Sequence, residues 1–261
     1  ERENARGSTI KTITKEEFSK FPIPIPPLPI QKEIVRILDT FTELTAELTA
    51  ELTARKKQYS YYREQLLSFA DGEVEWKTLG EVLVRTKGTK ITAGEMKDLH
   101  KENAPLKIFA GGKTIAFFNF EDIPSKDINR ESSIIVKSRG NIEFEYYDKP
   151  FSHKNEMWSY HSKNANLNIK FVYYFLKINE PYFQNIGSKM QMPQIATPDT
   201  DKFKIPIPTI SEQNRIVSIL DKFDTLTTSI SEGLPKEIDL RKKQYEYYRD
   251  KLLTFPKEEE V

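Results

Sequence analysis

A fifteen-residue segment occurs twice in this chain, so whatever fold the chain adopts must build it twice. Arg55-Lys-Lys-Gln-Tyr-Ser-Tyr-Tyr-Arg-Glu-Gln-Leu-Leu-Ser-Phe69 returns as Arg241-Lys-Lys-Gln-Tyr-Glu-Tyr-Tyr-Arg-Asp-Lys-Leu-Leu-Thr-Phe255. The match extends upstream. Ile23-Pro-Ile-Pro26 reappears as Ile205-Pro-Ile-Pro208, and Ile34-Val-Arg-Ile-Leu-Asp39 as Ile216-Val-Ser-Ile-Leu-Asp221. Gly7-Ser8 precedes the first copy much as Gly187-Ser188 precedes the second. A repeat on this scale implies a molecule built on pseudo-symmetry, and two-fold symmetry is a natural match for a two-part target such as DNA.

The first copy opens with Pro22, Pro24, Pro26, Pro27 and Pro29, which forbid a helix and favour an extended, stiff lead-in. From Ile30 to Asp71 there is neither Gly nor Pro, and the interval reads as one long helix. One seam set at seven-residue spacing is Ile34, Phe41, Leu48, Arg55, Tyr62 and Phe69; its companion is Leu38, Thr45, Leu52, Tyr59 and Leu66. Only Thr45 and Arg55 break this coiled-coil stripe. At ~1.5 Å per residue the helix is a rod of about 60 Å. Inside it lie the tetrads Thr45-Ala-Glu-Leu48 and Thr49-Ala-Glu-Leu52, either a low-complexity stretch that suits a helix or a length-setting spacer.

A second long helix is expected from about Glu212 to Phe255. Asp39 and Arg55 are sixteen residues apart, whereas Asp221 and Arg241 are twenty apart. The extra four accompany Gly233-Leu234-Pro235, which should kink or interrupt the helix and act as a stutter in the heptad. Two matching apolar stripes in one chain bury each other most economically as an antiparallel pair.

The middle differs in kind. Ile108-Phe-Ala110, Thr114-Ile-Ala-Phe-Phe118, Ser132-Ser-Ile-Ile-Val136 and Ile142-Glu-Phe-Glu-Tyr-Tyr147 read as strands, with Gly140 and Asn141 turning before the last. Leu167 to Ile178 reads as a short aromatic-rich helix packed on the sheet. The fold class is therefore α+β: one globular domain with a twisted β-sheet and short helices, and two long helices pairing as an antiparallel coiled coil. The segments are 1–29, 30–71, 72–208 and 209–261.

Composition excludes several classes. Hydrophobic residues make up 38% and charged residues 30%, which suits long exposed helices better than one large core. Cysteine is absent, so disulfides and cysteine-based zinc sites are excluded and a reducing compartment is expected. No apolar run approaches twenty residues and no signal-peptide pattern is present, so the chain reads as cytoplasmic, with no membrane partner. It opens on Glu1 rather than methionine, which reads as a fragment or a trimmed chain. Net charge is +1. Residues 72–204 carry 20 Lys/Arg against 17 Asp/Glu, so any DNA contact must come from the placement of charge rather than its total.

Gly111-Gly-Lys-Thr114 resembles the end of a phosphate-binding loop, but Lys107 occupies the position of the required earlier glycine. It is either a plain hairpin turn or a turn presenting Lys113 to a DNA phosphate. Lys137-Ser-Arg139-Gly follows a strand; Arg139 there reaches guanine bidentately or neutralises a phosphate, unless the turn is merely solvated. Lys87-Gly-Thr-Lys90 is a weaker case, and Ser152-His153-Lys154-Asn155 mixes donors and acceptors suited to base edges. His100, His153 and His161 lack metal-ligand spacing, so no metal is expected. Glu95-Met-Lys97 lacks the acidic strand partner of a nuclease. Nothing reads as a catalytic constellation. The candidate DNA-binding residues are Lys87, Lys90, Lys113, Lys137, Arg139, His153 and Lys154.

The proline-rich run Ile23–Gln31, the helix start Ile34–Asp39, the Thr-Ala-Glu-Leu tetrads and both Arg-Lys-Lys-Gln-Tyr segments resemble the specificity subunits of type I restriction–modification systems. Glu75-Trp-Lys-Thr-Leu-Gly80 resembles the opening of a target-recognition domain in that family, and the run from Gly187-Ser188 to Ile205 its closing segment. The resemblance implies a non-enzymatic subunit that reads a bipartite double-stranded DNA sequence with two recognition domains. It also implies docking with methyltransferase and restriction subunits, to which S-adenosylmethionine, ATP and Mg²⁺ belong; the chain itself needs no cofactor. This chain departs from the pattern in holding one complete recognition domain, at 72–208, while 1–22 look like the closing tail of another. It is then either a truncated subunit or a half-subunit forming a homodimer through the long helices. The competing readings are a coiled-coil scaffold or protein-interaction module without DNA binding, and a binder of RNA or single strands using exposed aromatics.

Overall fold

The computed structural model describes residues 13–70, 72–188 and 192–255, so Gly7-Ser8 lies outside the described residues. Two compact units divide the chain. One holds residues 1–54 with 226–261, the other residues 55–225.

The first elements are a short helix, α1 (Lys15–Ser19), and the long α2 (Leu28–Leu66). Thr14 starts α1 through a capping box with Glu17. Then come β1 (Glu75–Thr78), α3 (Leu79–Val82), β2 (Val84–Lys87), α4 (Ala93–Asp98), β3 (Leu106–Phe109) and β4 (Ile115–Phe118). They are followed by β5 (Ser133–Lys137), β6 (Glu143–Tyr147), β7 (Phe151–His153) and β8 (Trp158–His161). The chain continues through α5 (Ile169–Ile178), α6 (Glu180–Gly187), α7 (Thr197–Asp201) and β9 (Lys204–Ile207), and closes with α8 (Ile210–Thr228) and α9 (Leu234–Leu253).

α2 is helical because nothing in it stops a helix, and Pro29 falls in its first turn, where a missing N–H costs nothing. Its threonines bond backward. The hydroxyls of Thr42, Thr45, Thr49 and Thr53 donate to the carbonyls of Leu38, Phe41, Thr45 and Thr49, at 2.7–3.0 Å. With their polar atoms satisfied within the helix, these residues present methyl groups. In the helical unit they face Tyr245 and Arg249 of α9 across a groove of about 650 Å³. Within the helical unit Phe41 meets Tyr248, and within the globular unit Tyr59 and Tyr62 meet Phe223. The second helical region is interrupted as its Gly-Leu-Pro sequence requires. α8 ends at Thr228, Gly233 adopts φ 95°, and α9 begins at Leu234 with Pro235 in its first turn.

In the globular unit, β2-β8-β5-β6 form a four-stranded antiparallel sheet, β4-β3-β7 a second sheet, and β1-β9 a two-stranded one. The four strand-like runs in the sequence correspond to β3, β4, β5 and β6. β9 contains Pro206 yet pairs with β1, which a two-stranded ribbon allows because each strand has a free edge. α5 buries Phe171, Val172, Tyr174, Phe175 and Leu176, each large side chain contributing roughly 1.5–3 kcal/mol. Asn168 caps that helix, accepting from the amides of Lys170 and Phe171. Ile134, Val136, Phe144 and Tyr160 of the large sheet share this core, while Leu106, Ile108, Ala116 and Phe118 form a separate one with Met96.

Repeated residues do not share one environment. Ile205, Val217 and Leu67 of the globular unit are 0%, 9% and 2% exposed; their counterparts Ile23, Val35 and Leu253 in the helical unit are 72%, 56% and 51% exposed. These three repeat positions are core in one unit and surface in the other, whereas Ile34 and Ile216 are buried in both.

Candidate nucleic-acid interface

Sheet register brings four loops of the globular unit to one edge. β3 and β7 run parallel, so the chain leaves Phe109 and His153 on the same side. In the large sheet Trp158 lies opposite both Lys87 and Val136, so β2 and β5 end where β8 begins. The segments that follow β2, β3, β5 and β7 therefore converge, and hydrogen bonds join them. The Thr89 amide donates to the His153 carbonyl at 2.8 Å, and the Lys154 amide to the Phe109 carbonyl at 2.9 Å. The Ser138 hydroxyl donates to the Glu156 carbonyl at 2.8 Å. The approach at Gly88 admits no side chain, since a Cβ there would lie 2.2 Å from the His153 carbonyl oxygen and 2.5 Å from its Nδ1.

Lys87, Lys90, Lys113 and Arg139 are exposed at this edge. Lys113 sits on the β3–β4 hairpin, where Gly112 turns at φ 66°. Two antiparallel strands joined by a hairpin are not the strand-to-helix loop that cradles nucleotide phosphates, so the phosphate-loop reading of residues 111–114 falls. Arg139 has no carboxylate within ion-pair distance among the described residues, and its backbone forms a bridge with Gln194. Lys154 belongs to the same edge but is half-committed, pairing with Glu156 at 3.0 Å.

Two further sequence candidates lie in the interior rather than on the exposed edge. Lys137 is a buried β5 residue held by Glu143 at 2.7 Å and Glu145 at 2.8 Å. Burial alone would lower its pKa, but the hydrogen bonds that its ammonium donates to the two carboxylates outweigh that and raise it. Its charge is spent inside the protein. His153 is fully buried, with Nε2 3.2 Å from the Ser159 hydroxyl and Nδ1 3.1 Å from the Lys154 carbonyl. Burial holds its pKa below the usual range despite that carbonyl contact. Both side chains are engaged within the protein, bonding the strands and loops that carry the exposed cations.

Between the loops lies a cleft of about 310 Å³, lined by Gly111, Gly112, Arg139, Gly140, Asn141 and Met192 among others. A Cβ added at Gly111, Gly112 or Gly140 would meet no protein atom within 4 Å, so the floor is open to an incoming ligand. Sequence reading missed Met192 and Asn141. Met192 stands beside Pro193 in a polar stretch that the sequence marks only as the close of the domain. A neighbouring cleft of about 490 Å³ is bounded by Met96, His100, Thr114 and Ile115, and shares Gly111 and Glu156 with the first. Among the described residues no group of three or more His, Asp or Glu could hold a metal ion, and no helix is long and apolar enough to cross a membrane. Exposed cations around an open, glycine-floored cleft suit a polyanion with readable edges.

Comparison with known proteins supplies the family. The model of the type I restriction modification DNA specificity domain matches residues 2–55 and 72–240. A type I restriction enzyme specificity subunit of Escherichia coli is 43% identical over 95% of this chain and 66% of its own length, so the chain spans about two thirds of that relative. A putative type I specificity subunit of Mycoplasma pneumoniae is 27% identical over 97% of this chain and 93% of its own length. Among solved structures, the S subunit of a type I restriction–modification system from M. genitalium superposes with a TM-score of 0.63 at 19% identity, over 98% of this chain and 69% of that one. That likeness is one of fold. The chain belongs to the type I restriction–modification DNA specificity family, the non-catalytic specificity subunits of those systems.

Proposed function

We propose that the chain reads one half of a bipartite double-stranded DNA target and docks methyltransferase subunits, and restriction subunits in the larger assembly. The observation that carries this reading is the convergence of four loops with Lys87, Lys90, Lys113 and Arg139 exposed at one sheet edge, in a chain of this family. Lysines on the surrounding loops fix register on phosphates, and Arg139 reaches a base edge. In this reading S-adenosylmethionine, ATP and Mg²⁺ belong to the partner subunits, and the complex works on DNA in the cytoplasm. Arg139→Ala should weaken binding to the cognate duplex by roughly 1–3 kcal/mol in the methyltransferase-bound complex. Unchanged affinity at moderate salt would remove Arg139 from the readout.

A second recognition domain is part of the same proposal. Ile23, Val35 and Leu253 are exposed in the helical unit, although their counterparts are core residues in the globular one. A second copy of the chain, in a homodimer through the long helices, would cover such a surface and supply the other half-site reader. The seam aromatics are already paired within the chain, so this dimer would use the outer helix faces. Sedimentation of the purified chain tests it: a particle of two copies is expected, and a strict monomer at micromolar concentration refutes it. Sequencing the methylated DNA of cells that express the chain with its partner would show whether the half-sites are identical. A scaffold without DNA binding predicts no sequence-selective, salt-dependent duplex binding at all.

A further inference from the structure

We infer that Met192 is a specificity-determining side chain that recognises the C5-methyl group of a thymine in the major groove. The inference rests on the reading of residues 72–208 as a DNA recognition domain and names one of its contacts.

Met192 is 65% exposed at the rim of the glycine-floored cleft. It is an apolar side chain left in water on a rim that it shares with Arg139, Asn141 and Glu156, where it fills no core. The residues that follow it are held by the fold. The Gly140 amide donates to the Pro193 carbonyl at 2.9 Å, and the Ile195 amide to the Ser138 carbonyl at 3.0 Å. The Gln194 amide donates to the Gly187 carbonyl at 3.1 Å. Gly187 permits that approach, since a Cβ there would lie 3.2 Å from the Gln194 carbonyl oxygen and 2.2 Å from Ile142 Cδ1. Pro193 restricts the backbone of the residue before it, Met192. A flexible thioether is thus delivered from a fixed anchor to the side of Arg139, whose backbone bridges to Gln194.

This pairing has a chemical match. In the major groove thymine presents an apolar C5-methyl, and guanine presents the N7 and O6 acceptors that a guanidinium takes bidentately. A cation and an apolar tip on one clamped rim suit a step that contains both bases. Phosphates alone call for no methionine. Gly111, Gly112 and Gly140 leave the space in which the base edges would lie.

The test removes the methyl group alone. The duplex is the sequence found methylated in cells that express the chain, bound by the native chain with its methyltransferase partner. Each thymine of the half-site is replaced in turn by deoxyuridine. One replacement should weaken binding by the native complex about fourfold, the worth of one buried methyl-sized group. Met192→Ala should weaken binding to the thymine duplex by a similar factor and be indifferent to the same replacement. Met192→Leu should stay sensitive, and the melting temperature of Met192→Ala should be unchanged. The inference is overturned if no thymine is sensitive, or if Met192→Ala loses as much on replacement as the native chain. Absence of sequence-selective binding by the native complex would instead overturn the recognition reading, and this inference with it.

Discussion

Phe41 and Tyr248 stack with ring centroids 5.3 Å apart and an interplanar angle of 21°. Phe223 and Tyr62, their counterparts in the repeat, stack at 5.8 Å and 25°. The duplication therefore reaches from sequence to side-chain geometry, with one stack in each unit. Around these rings the same partners recur: Arg55 donates to Gln58 as Arg241 does to Gln244, and Arg63 lies over Tyr59 as Arg249 does over Tyr245.

Replacing either phenylalanine by alanine should destabilise the chain by about 2 kcal/mol, below the ~3–5 of a fully buried ring because both are half-buried. Phe223→Ala should cost more, since Phe223 also stacks on Tyr59 at 5.8 Å. Urea unfolding of the two variants checks the order; equal or reversed losses would contradict it.

Gly88 carries a different dependence. Because a Cβ there would press on the backbone of His153 and Lys154, Gly88→Ala must push two loops apart and break the Thr89–His153 hydrogen bond. A loss of about 1–3 kcal/mol is expected, together with weakened duplex binding, although residue 88 contributes no side chain to the interface. Thermal melts and binding assays should move together; loss of neither would mean the loops can separate freely.

Lys137 and His153 should reveal themselves in stability rather than in DNA affinity. Lys137→Ala leaves Glu143 and Glu145 facing one another and should cost about 2 kcal/mol, less than the ~3–5 of a wholly buried pair. Since its folded pKa is raised, the Lys137 contribution is intact below the unfolded value of 10.5 and is lost only as pH climbs through the folded one.

His153 has the opposite sign. Its folded pKa lies below the ordinary 6.5, so its contribution is complete above that value. Acid should erode it at up to about 1.4 kcal/mol per pH unit, because the unfolded chain takes up a proton that the folded chain refuses. His153→Gln should flatten the fall in melting temperature between pH 7 and pH 5. A variant that keeps the full native slope would exonerate this histidine.

The Thr-Ala-Glu-Leu tetrads give a geometric prediction. One added unit lengthens α2 by ~6 Å, and duplex rise is about 3.4 Å per base pair. If the helix sets the distance between recognition domains, the gap between half-sites should widen by roughly one or two base pairs, read from the methylated sequence. Unchanged spacing would reduce the tetrads to helix filler.

Much of this architecture is legible without coordinates because it depends on periodicity and on Gly and Pro. The long helix, the break at Gly233 and the four apolar strand runs all follow from such local patterns. β7 and β9 do not, being short strands defined by their partners: Ser152 and His153 are polar, and Pro206 argues against a ladder. The site was half legible for the same reason. Residue type marks Lys113 and Lys137 as equal cations, and only register puts one on a hairpin tip and the other between two carboxylates. Met192 carries no such mark, because what brings its neighbour Pro193 to the cleft is a bond to Gly140, a residue far away in the chain.

The backward bonds of the α2 threonines have a consequence for how such a chain can change. Each hydroxyl finds its acceptor four residues earlier, so a tetrad brings donor and acceptor with it and asks nothing new of its surroundings. Slippage during replication could add or delete whole units without leaving an orphaned polar group. The length of α2 would then be heritable as a copy number, separable from the loops of the globular unit.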